Sequence, residues 1–321
     1  MSASVSVRGR EMVVFSGSAH PELAEEICAE LGVPLSPTRV TRFANDCLEV
    51  QLQANCRERD VFIVQPLVPP VQENLVELLL MLDAARGASA SRTTVVMPHF
   101  AYARSDKKDA PRISIGARLV ADLLVTAGAN RVLAMTLHSP QVHGFFSVPV
   151  DHLHALHELA VHFRRYDLSN AVVLSPDLGN AKAASAFARL LGVPVAAGAK
   201  QRFSDDRVVI SSVIGDVRGR DVIVLDDEIA KGSTVIELMD HLAEFDVASL
   251  RIACTHGLFS DKAVERIGER DEVLEIVCTN TVPVPREKRS GKLKVLSVAG
   301  PLAEAMRRIH NGESVSALFE H

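Results

Sequence analysis

Val222-Ile-Val-Leu-Asp-Asp-Glu-Ile-Ala-Lys-Gly-Ser-Thr234 is the stretch whose reading decides the fold of this chain. Its apolar run, Val222 to Leu225, predicts a buried strand, because β-branched side chains fit a pleated sheet. Asp226 and Asp227 follow at the carboxyl end of that strand. A loop of small and polar residues, Ala230 to Thr234, comes next, and Val235-Ile-Glu-Leu-Met-Asp-His-Leu242 has helical spacing. Backbone N–H groups at a helix start carry partial positive charge and suit an anion. The neighbouring carboxylates can accept from sugar hydroxyls or hold a divalent cation through its waters. Together these features ask for a sugar phosphate. Taken alone, the stretch also fits an ordinary strand-to-helix turn with two surface acids.

On either side the same alternation continues. Met12-Val-Val-Phe15 predicts a first strand, and Pro21 to Leu31 an amphipathic helix with Pro at its start and Gly32 at its end. Asp60-Val-Phe-Ile-Val64 is a strand, Leu75 to Ala85 a helix too apolar to be widely exposed, and Thr93 to Met97 a strand. Helix Ile115 to Ala127 and strand Val132 to Leu137 follow. The pattern restarts with strand Ala171 to Leu174, helix Ala181 to Leu191 and the acidic stretch, and ends with strands Leu250 to Cys254, Val273 to Val277 and Leu293 to Ser297. Strands alternating with helices imply parallel sheets covered on both faces, with ligands at the carboxyl ends of the strands. A doubled fold provides two such crevices, one for each of two substrates.

A chain of 321 residues favours two domains of about 150 residues each. With 47% apolar residues it is neither disordered nor fibrous. A net charge of −5 and no basic block argue against nucleic-acid binding by bulk electrostatics. The start lacks the apolar core of a signal peptide, and no apolar run reaches the ~18 residues of a membrane span. Cys28, Cys47, Cys56, Cys254 and Cys278 show no Cys-x-x-Cys pairing, and Cys254 and Cys278 fall inside predicted strands as packed thiols. A reducing cytoplasm is the expected setting. Asp151-His-Leu-His-Ala-Leu-His157 offers a weak transition-metal signal, His154 and His157 sharing one helix face, but without a fourth clustered ligand.

Phe15-Ser-Gly, Glu22 to Ile27, Pro98-His-Phe-Ala-Tyr-Ala-Arg104, Asp106-Lys-Lys-Asp109, Gly144-Phe-Phe146 and Val148 to Asp151 form an ordered set with Ser175-Pro-Asp177, Gly215 to Val222, Thr255-His-Gly257, Thr279-Asn-Thr281 and Arg307 to Ser314. This set, spanning nearly the whole chain, resembles the ribose-phosphate pyrophosphokinases, or PRPP synthetases. The resemblance implies an α/β fold of two similar doubly wound phosphoribosyltransferase-type domains with mainly parallel sheets. The expected division is residues 1–152 and 153–300, with a C-terminal helix over 301–321 packed on the first. It implies transfer of the diphosphoryl group of ATP to ribose 5-phosphate, giving PRPP and AMP for nucleotide biosynthesis, with Mg²⁺ and self-association from dimer to hexamer. By the same resemblance, Lys200 and Arg202 are catalytic. Phe43, Asn45, Asp46, Cys47, Arg104, Ser105, Asp106, Asp109 and His138 contact ATP, beside Lys107 and Lys108. Asp226, Asp227, Ala230, Lys231, Gly232, Ser233 and Thr234 bind ribose 5-phosphate, and His138, Asp177 and Asp151 attend the metal. Residue type suits the catalytic pair: Lys is a compact charge for a phosphoryl oxygen and Arg a planar fork for two.

Several positions depart from the family pattern inside these sites. The adenine-reading loop, Phe-Ser-Asp-Gly-Glu in the family, is here Phe43-Ala-Asn-Asp-Cys47. Phe43 can still stack on a base, while Cys accepts hydrogen bonds poorly. Asp-Leu-His becomes Thr136-Leu-His138, Gly-Phe-Phe-Asp becomes Gly144-Phe-Phe-Ser147, and Asp-Thr-Gly-Gly-Thr becomes Ala230-Lys-Gly-Ser-Thr234. Gly-Gly becomes Gly179-Asn180, an exchange that Asn's tolerance of the left-handed region makes mild. Each lost acid weakens the field that holds Mg²⁺. These changes leave two readings: an active diphosphokinase with altered nucleotide and metal contacts, or a catalytically weakened regulatory or structural subunit of the same fold.

Overall fold

The protein's structure, a computed structural model, describes residues 6–7, 10–202, 208–289 and 291–318. The chain divides into two compact units, one holding residues up to His154 and again from Ser297, the other Ala155–Leu296.

In the first unit, β1 (Ser6–Val7), β2 (Arg10–Ser16), β3 (Leu35–Ser36), β6 (Asp60–Val64), β7 (Arg92–Met97), β8 (Arg131–Met135) and β9 (Val150–Leu153) form one sheet. Apart from the antiparallel β1–β2 edge the pairing is parallel. β4 (Thr38–Arg42) and β5 (Leu48–Leu52) make a separate antiparallel hairpin. α1 (Pro21–Leu31) starts at Pro21, is capped by His20 and ends on Gly32 in the left-handed region. The sequence signals at both ends therefore mark the helix. Val13, Phe15, Ile63, Val95 and Val132 pack on Leu78, Met81 and Leu82 of α2 (Val71–Gly87) and on Val120 and Leu124 of α3 (Gly116–Ala127). Val14, Phe62 and Val96 alternate to the other face and are just as buried, with α1 packed against β2. This alternation is what strands covered on both faces require.

In the second unit, α4 (Leu156–Phe163) leads into β10 (Ala171–Ser175), α5 (Ala181–Leu191), β11 (Val195–Arg202), β12 (Val208–Ile214), β13 (Asp221–Ile229), α6 (Ser233–Leu242), β14 (Ser249–Gly257), α7 (Ala263–Gly268), β15 (Val273–Thr279) and β16 (Leu293–Leu296). Strand order is β12-β11-β10-β13-β14-β15-β16, parallel except for the β11–β12 hairpin. Val222 and Val224 face Leu238, Met239 and Ile267 of α6 and α7, while Ile223 and Leu225 face Leu159, Phe163 and Phe187 of α4 and α5. α8 (Ala299–Asn311) then returns to the first unit and packs on α1, where Arg307 donates to the Glu30 carbonyl at 2.9 Å. Residues 319–321 of the expected C-terminal helix lie outside the described residues.

One local reading changes. His152 lies on β9 and α4 starts only at Leu156, so His154 and His157 do not share a helix face. Among the described residues no three His, Cys, Asp or Glu side chains group as a metal site. Residues 200–202 lie on β11, paired with β12. Among the described residues, no helix is long and apolar enough to cross a membrane.

Candidate functional site

The acidic stretch is built differently from its sequence reading. β13 does not stop at Leu225. It continues through the acids to Ile229 because β14 runs alongside, pairing Asp226 with Cys254, Glu228 with His256 and Ile229 with Gly257. On its other side β10 pairs only as far as Leu174 with Val224. Asp226 and Asp227 therefore sit beyond the end of β10, next to the loop that carries Asp177. That loop is tied down twice: the Asn180 amide donates to the Leu225 carbonyl at 3.0 Å, and its backbone N–H donates to Asp177 Oδ1 at 3.1 Å. Asn180 has a φ of −92°, so the exchange of a glycine for Asn needs no left-handed backbone here and adds a cross-link instead.

Burial pushes the Asp226 carboxyl well above the usual carboxylate range, and the charges of Asp227 and Asp177 push it further. A divalent cation or a set of sugar hydroxyls would relieve that repulsion. Behind the acids, His256 Nδ1 meets Thr281 Oγ1 at 2.9 Å, and the Thr279 and Thr281 hydroxyls donate to the Thr255 carbonyl at 2.8 and 3.1 Å. The Thr255-His-Gly257 and Thr279-Asn-Thr281 segments are thus partners in one buried network that holds the carboxyl ends of β14 and β15.

Next comes the turn into α6. Gly232 has a φ of 72°, and a Cβ there would lie 3.1 Å from Ile267 Cδ1, so two constraints ask for glycine. As the residue at the cap position, it brings no side chain to the helix start that follows. Lys231 stands 3.8 Å from Asp261, both well exposed, and its carbonyl accepts from Arg266 at 3.4 Å. The arm after β14 clasps this turn through Leu258 N–H to Ile229 O at 3.0 Å and Ser260 N–H to Ala230 O at 3.1 Å. Phe259, Asp261 and Lys262 on that arm all have positive φ. Strained backbone of this kind persists where surrounding structure dictates it, and it gathers at functional sites. Sequence reading missed the arm, since no residue type signals it. Lys200 and Arg202 lie on β11, paired with Ile210 and Val208 of β12. For these two the structure describes the backbone alone.

In the first unit, the turn after β2 spends two backbone N–H groups on side chains of its own unit. Ser18 N–H donates to the buried Glu77 carboxylate at 2.6 Å and Ala19 N–H to Gln65 Oε1 at 3.1 Å. The predicted ATP contacts gather instead after β7 and β8. Ser105 binds the start of α3, its hydroxyl accepting from Gly116 N–H at 3.0 Å. Asp106 accepts from the Ser139 hydroxyl, which joins its loop to the exposed His138. Arg104 and Asp109 are exposed, Asp109 3.8 Å from Lys107. Phe43, Asn45, Asp46 and Cys47 form the exposed tip of the β4–β5 hairpin. There Asn45 Oδ1 accepts from Cys47 N–H at 3.3 Å, and Arg42 binds both Asp46 and Glu73. Asp151 is buried, and its two oxygens accept from Arg131 at 2.5 and 3.0 Å.

Two doubly wound α/β units, with an acidic strand end and a glycine-entered helix start in the second, define a phosphoribosyltransferase-type fold. Residues 12–128 match the N-terminal domain of ribose phosphate pyrophosphokinase, and residues 204–320 match the phosphoribosyl synthetase-associated domain. The chain is 78% identical over 97% of its length, and 98% of the relative's, to a Streptomyces coelicolor protein provisionally assigned as a ribose-phosphate pyrophosphokinase. It is 50% identical to a ribose-phosphate pyrophosphokinase of Deinococcus radiodurans, covering 97% of this chain and 99% of that one. The crystal structure of phosphoribosylpyrophosphate synthetase from Mycobacterium smegmatis superposes with a TM-score of 0.88 at 39% identity, over 94% of this chain and 99% of that one. The chain belongs to the ribose-phosphate pyrophosphokinase family.

Proposed function

We propose that this enzyme transfers the β,γ-diphosphoryl group of ATP to the anomeric hydroxyl of ribose 5-phosphate, with the acidic end of β13 and the start of α6 as the sugar-phosphate site. The observation that carries this assignment is the pairing of two acids with a glycine-entered helix start seven residues on from Asp226. Backbone N–H groups of residues 232–234 receive the 5-phosphate, and Lys231 exchanges Asp261 for it. Asp226 and Asp227 accept from ribose hydroxyls, which orients the anomeric oxygen for in-line attack. Lys200 and Arg202 stabilise charge on the phosphoryl group in transit. In the first unit, Phe43 stacks on the base, while Arg104, Ser105, Asp106, Asp109 and His138 meet the phosphates.

Magnesium suits the acids present: burial pushes the Asp226 carboxyl above its usual range, and the charges of Asp227 and Asp177 add a repulsion that a cation would relieve. Asp177 would hold it in the second unit, mostly through phosphate oxygens and waters. When bound it neutralises charge on the phosphates. A noncatalytic subunit is the less favoured reading, since relatives from 41% to 50% identity over nearly the whole chain carry the enzyme's name. We further place the protein in the cytoplasm, in keeping with its free cysteines, and as a homo-oligomer, dimer to hexamer, for which exposed Leu119 and Leu123 on α3 offer apolar surface. The test is formation of AMP and PRPP by the pure protein from ribose 5-phosphate, magnesium and a panel of nucleotides. Absence of AMP with every nucleotide would overturn the reading.

A further inference from the structure

His152 belongs to none of the segments that resemble the family's sites, yet its side chain reaches the turn that carries His138. β8 ends at Met135, and the chain then turns sharply through Thr136, Leu137 and His138. Thr136 has a φ of 43°, in the left-handed region that a β-branched residue rarely adopts. Something must hold the chain there. Two hydrogen bonds from β9 do so: Thr136 N–H donates to the Leu153 carbonyl at 2.8 Å, and Leu137 N–H donates to His152 Nε2 at 2.8 Å. The first is the ordinary continuation of the β8–β9 ladder. The second is not, because a side chain substitutes for the carbonyl that the ladder no longer supplies.

The His152 ring is itself fixed. It packs against His154 with ring centroids 4.4 Å apart, and its backbone is held opposite Ala134 in the sheet. An imidazole that accepts at Nε2 carries its proton on Nδ1 when neutral. Leu137, the donor, is buried, so its N–H has no easy recourse to water. One residue on stands His138, and the residue after that, Ser139, donates its hydroxyl to Asp106. The bond to His152 thus fixes the middle of a run that ends on two proposed nucleotide contacts.

We propose that His152 is a positioning residue for ATP: its Nε2 holds the Thr136–Ser139 turn in the strained form that aims His138 and Asp106 at the nucleotide phosphates. This rests on the assignment of His138 to the nucleotide site made above. Chain geometry supplies a sharp test, because the amide oxygen of Gln reaches about as far from the backbone as Nε2, and that of Asn about as far as Nδ1. His152→Gln keeps an acceptor at the right distance; His152→Asn and His152→Ala do not.

Steady-state kinetics of the full-length enzyme, varying ATP and ribose 5-phosphate in turn, should show kcat/KM for ATP falling about tenfold in the Ala and Asn variants, the size expected for one lost hydrogen bond. The Gln variant should stay within about threefold of wild type, and the KM for ribose 5-phosphate should not move in any of them. A merely structural role would lower the thermal midpoint without this split or this rescue. Should the Ala variant fail to fold, the contrast between Gln and Asn decides. Gln and Asn behaving alike, or wild-type ATP dependence in all three, overturns the proposal. His138→Ala is measured alongside: if it is impaired while the His152 variants are not, only the positioning role falls. If His138→Ala matches wild type, the assignment of His138 falls, and the positioning role with it.

Discussion

Asp60 is the buried anchor of the C-terminal helix, and replacing it by Asn should loosen the first unit measurably. Its carboxylate accepts from Arg92 Nε at 2.8 Å, from Arg92 Nη2, and from His310 Nδ1 at 2.8 Å. Arg92 also donates to the Ile309 carbonyl at 2.9 Å, so one carboxylate ties β6, β7 and α8 together. Asn supplies one acceptor oxygen where two serve now, and turns an NH₂ group toward a donor. One charge-assisted hydrogen bond is lost and a buried donor is left unpaired, at a cost of about 3 kcal/mol. For a unit of this size that lowers Tm by about 6–12 °C. The pH dependence follows from the folded-state pKa. Burial alone would raise it, but the hydrogen bonds from His310 and Arg92 prevail and hold it below the usual carboxylate value. A group depressed on folding contributes stability above its unfolded pKa of about 4, and loses it as pH falls through the folded value. Thermal melts followed by circular dichroism should therefore show the full gap between wild type and Asp60→Asn at pH 6–7, narrowing below about pH 4. Equal melting at pH 7, or a gap undiminished at the lowest pH where both fold, would refute the reasoning.

Lys231→Ala should raise the KM for ribose 5-phosphate by about fivefold at low salt and by less at high salt, since an exposed cation is screened. An unchanged KM at low salt would remove Lys231 from the phosphate site. Asn180→Ala, which cuts the bond to Leu225 O, should lower Tm by about 2–4 °C, the effect of about 1 kcal/mol, and raise the KM for ribose 5-phosphate. If the KM stays put, the tie does not position Asp177. At the hairpin tip, restoring carboxylates with Asn45→Asp and Cys47→Glu together should tighten ATP relative to GTP by roughly 1–3 kcal/mol in nucleotide titrations. A wild-type protein that already rejects GTP would contradict this.

Elements that are apolar throughout or fully punctuated were legible in the sequence. β6 is buried at every position and reads as a strand from end to end, while Pro21 and Gly32 mark α1 to the residue. Hydropathy fails where backbone pairing decides. β13 carries Asp226, Asp227 and Glu228 inside a strand because β14 supplies their main-chain partners, and no periodicity of the acids reports that. The same holds for Lys200 and Arg202 on β11 and for the β4–β5 hairpin, whose polar residues hide an antiparallel ladder.

The candidate sites divide along the same line. Residue types were legible through resemblance, but partners were not, because a partner lies at a sequence distance that no local pattern spans. Asp151 carries the right chemistry for a metal, and its ion pair with Arg131, 20 residues upstream, is invisible to local sequence. Asn180 looked like a tolerated glycine replacement and is a tie to a carbonyl 45 residues away. In both cases the side chain's chemistry was legible and its partner was not, since the fold decides which group satisfies a buried acceptor or donor. Such pairing follows from burial: a polar group cannot enter the interior without a partner, so the fold must bring one within reach. The acids at the end of β13 differ in what crowds them. Burial pushes the Asp226 carboxyl above its usual range and the charges of Asp227 and Asp177 push it further, a repulsion that an outside cation would relieve.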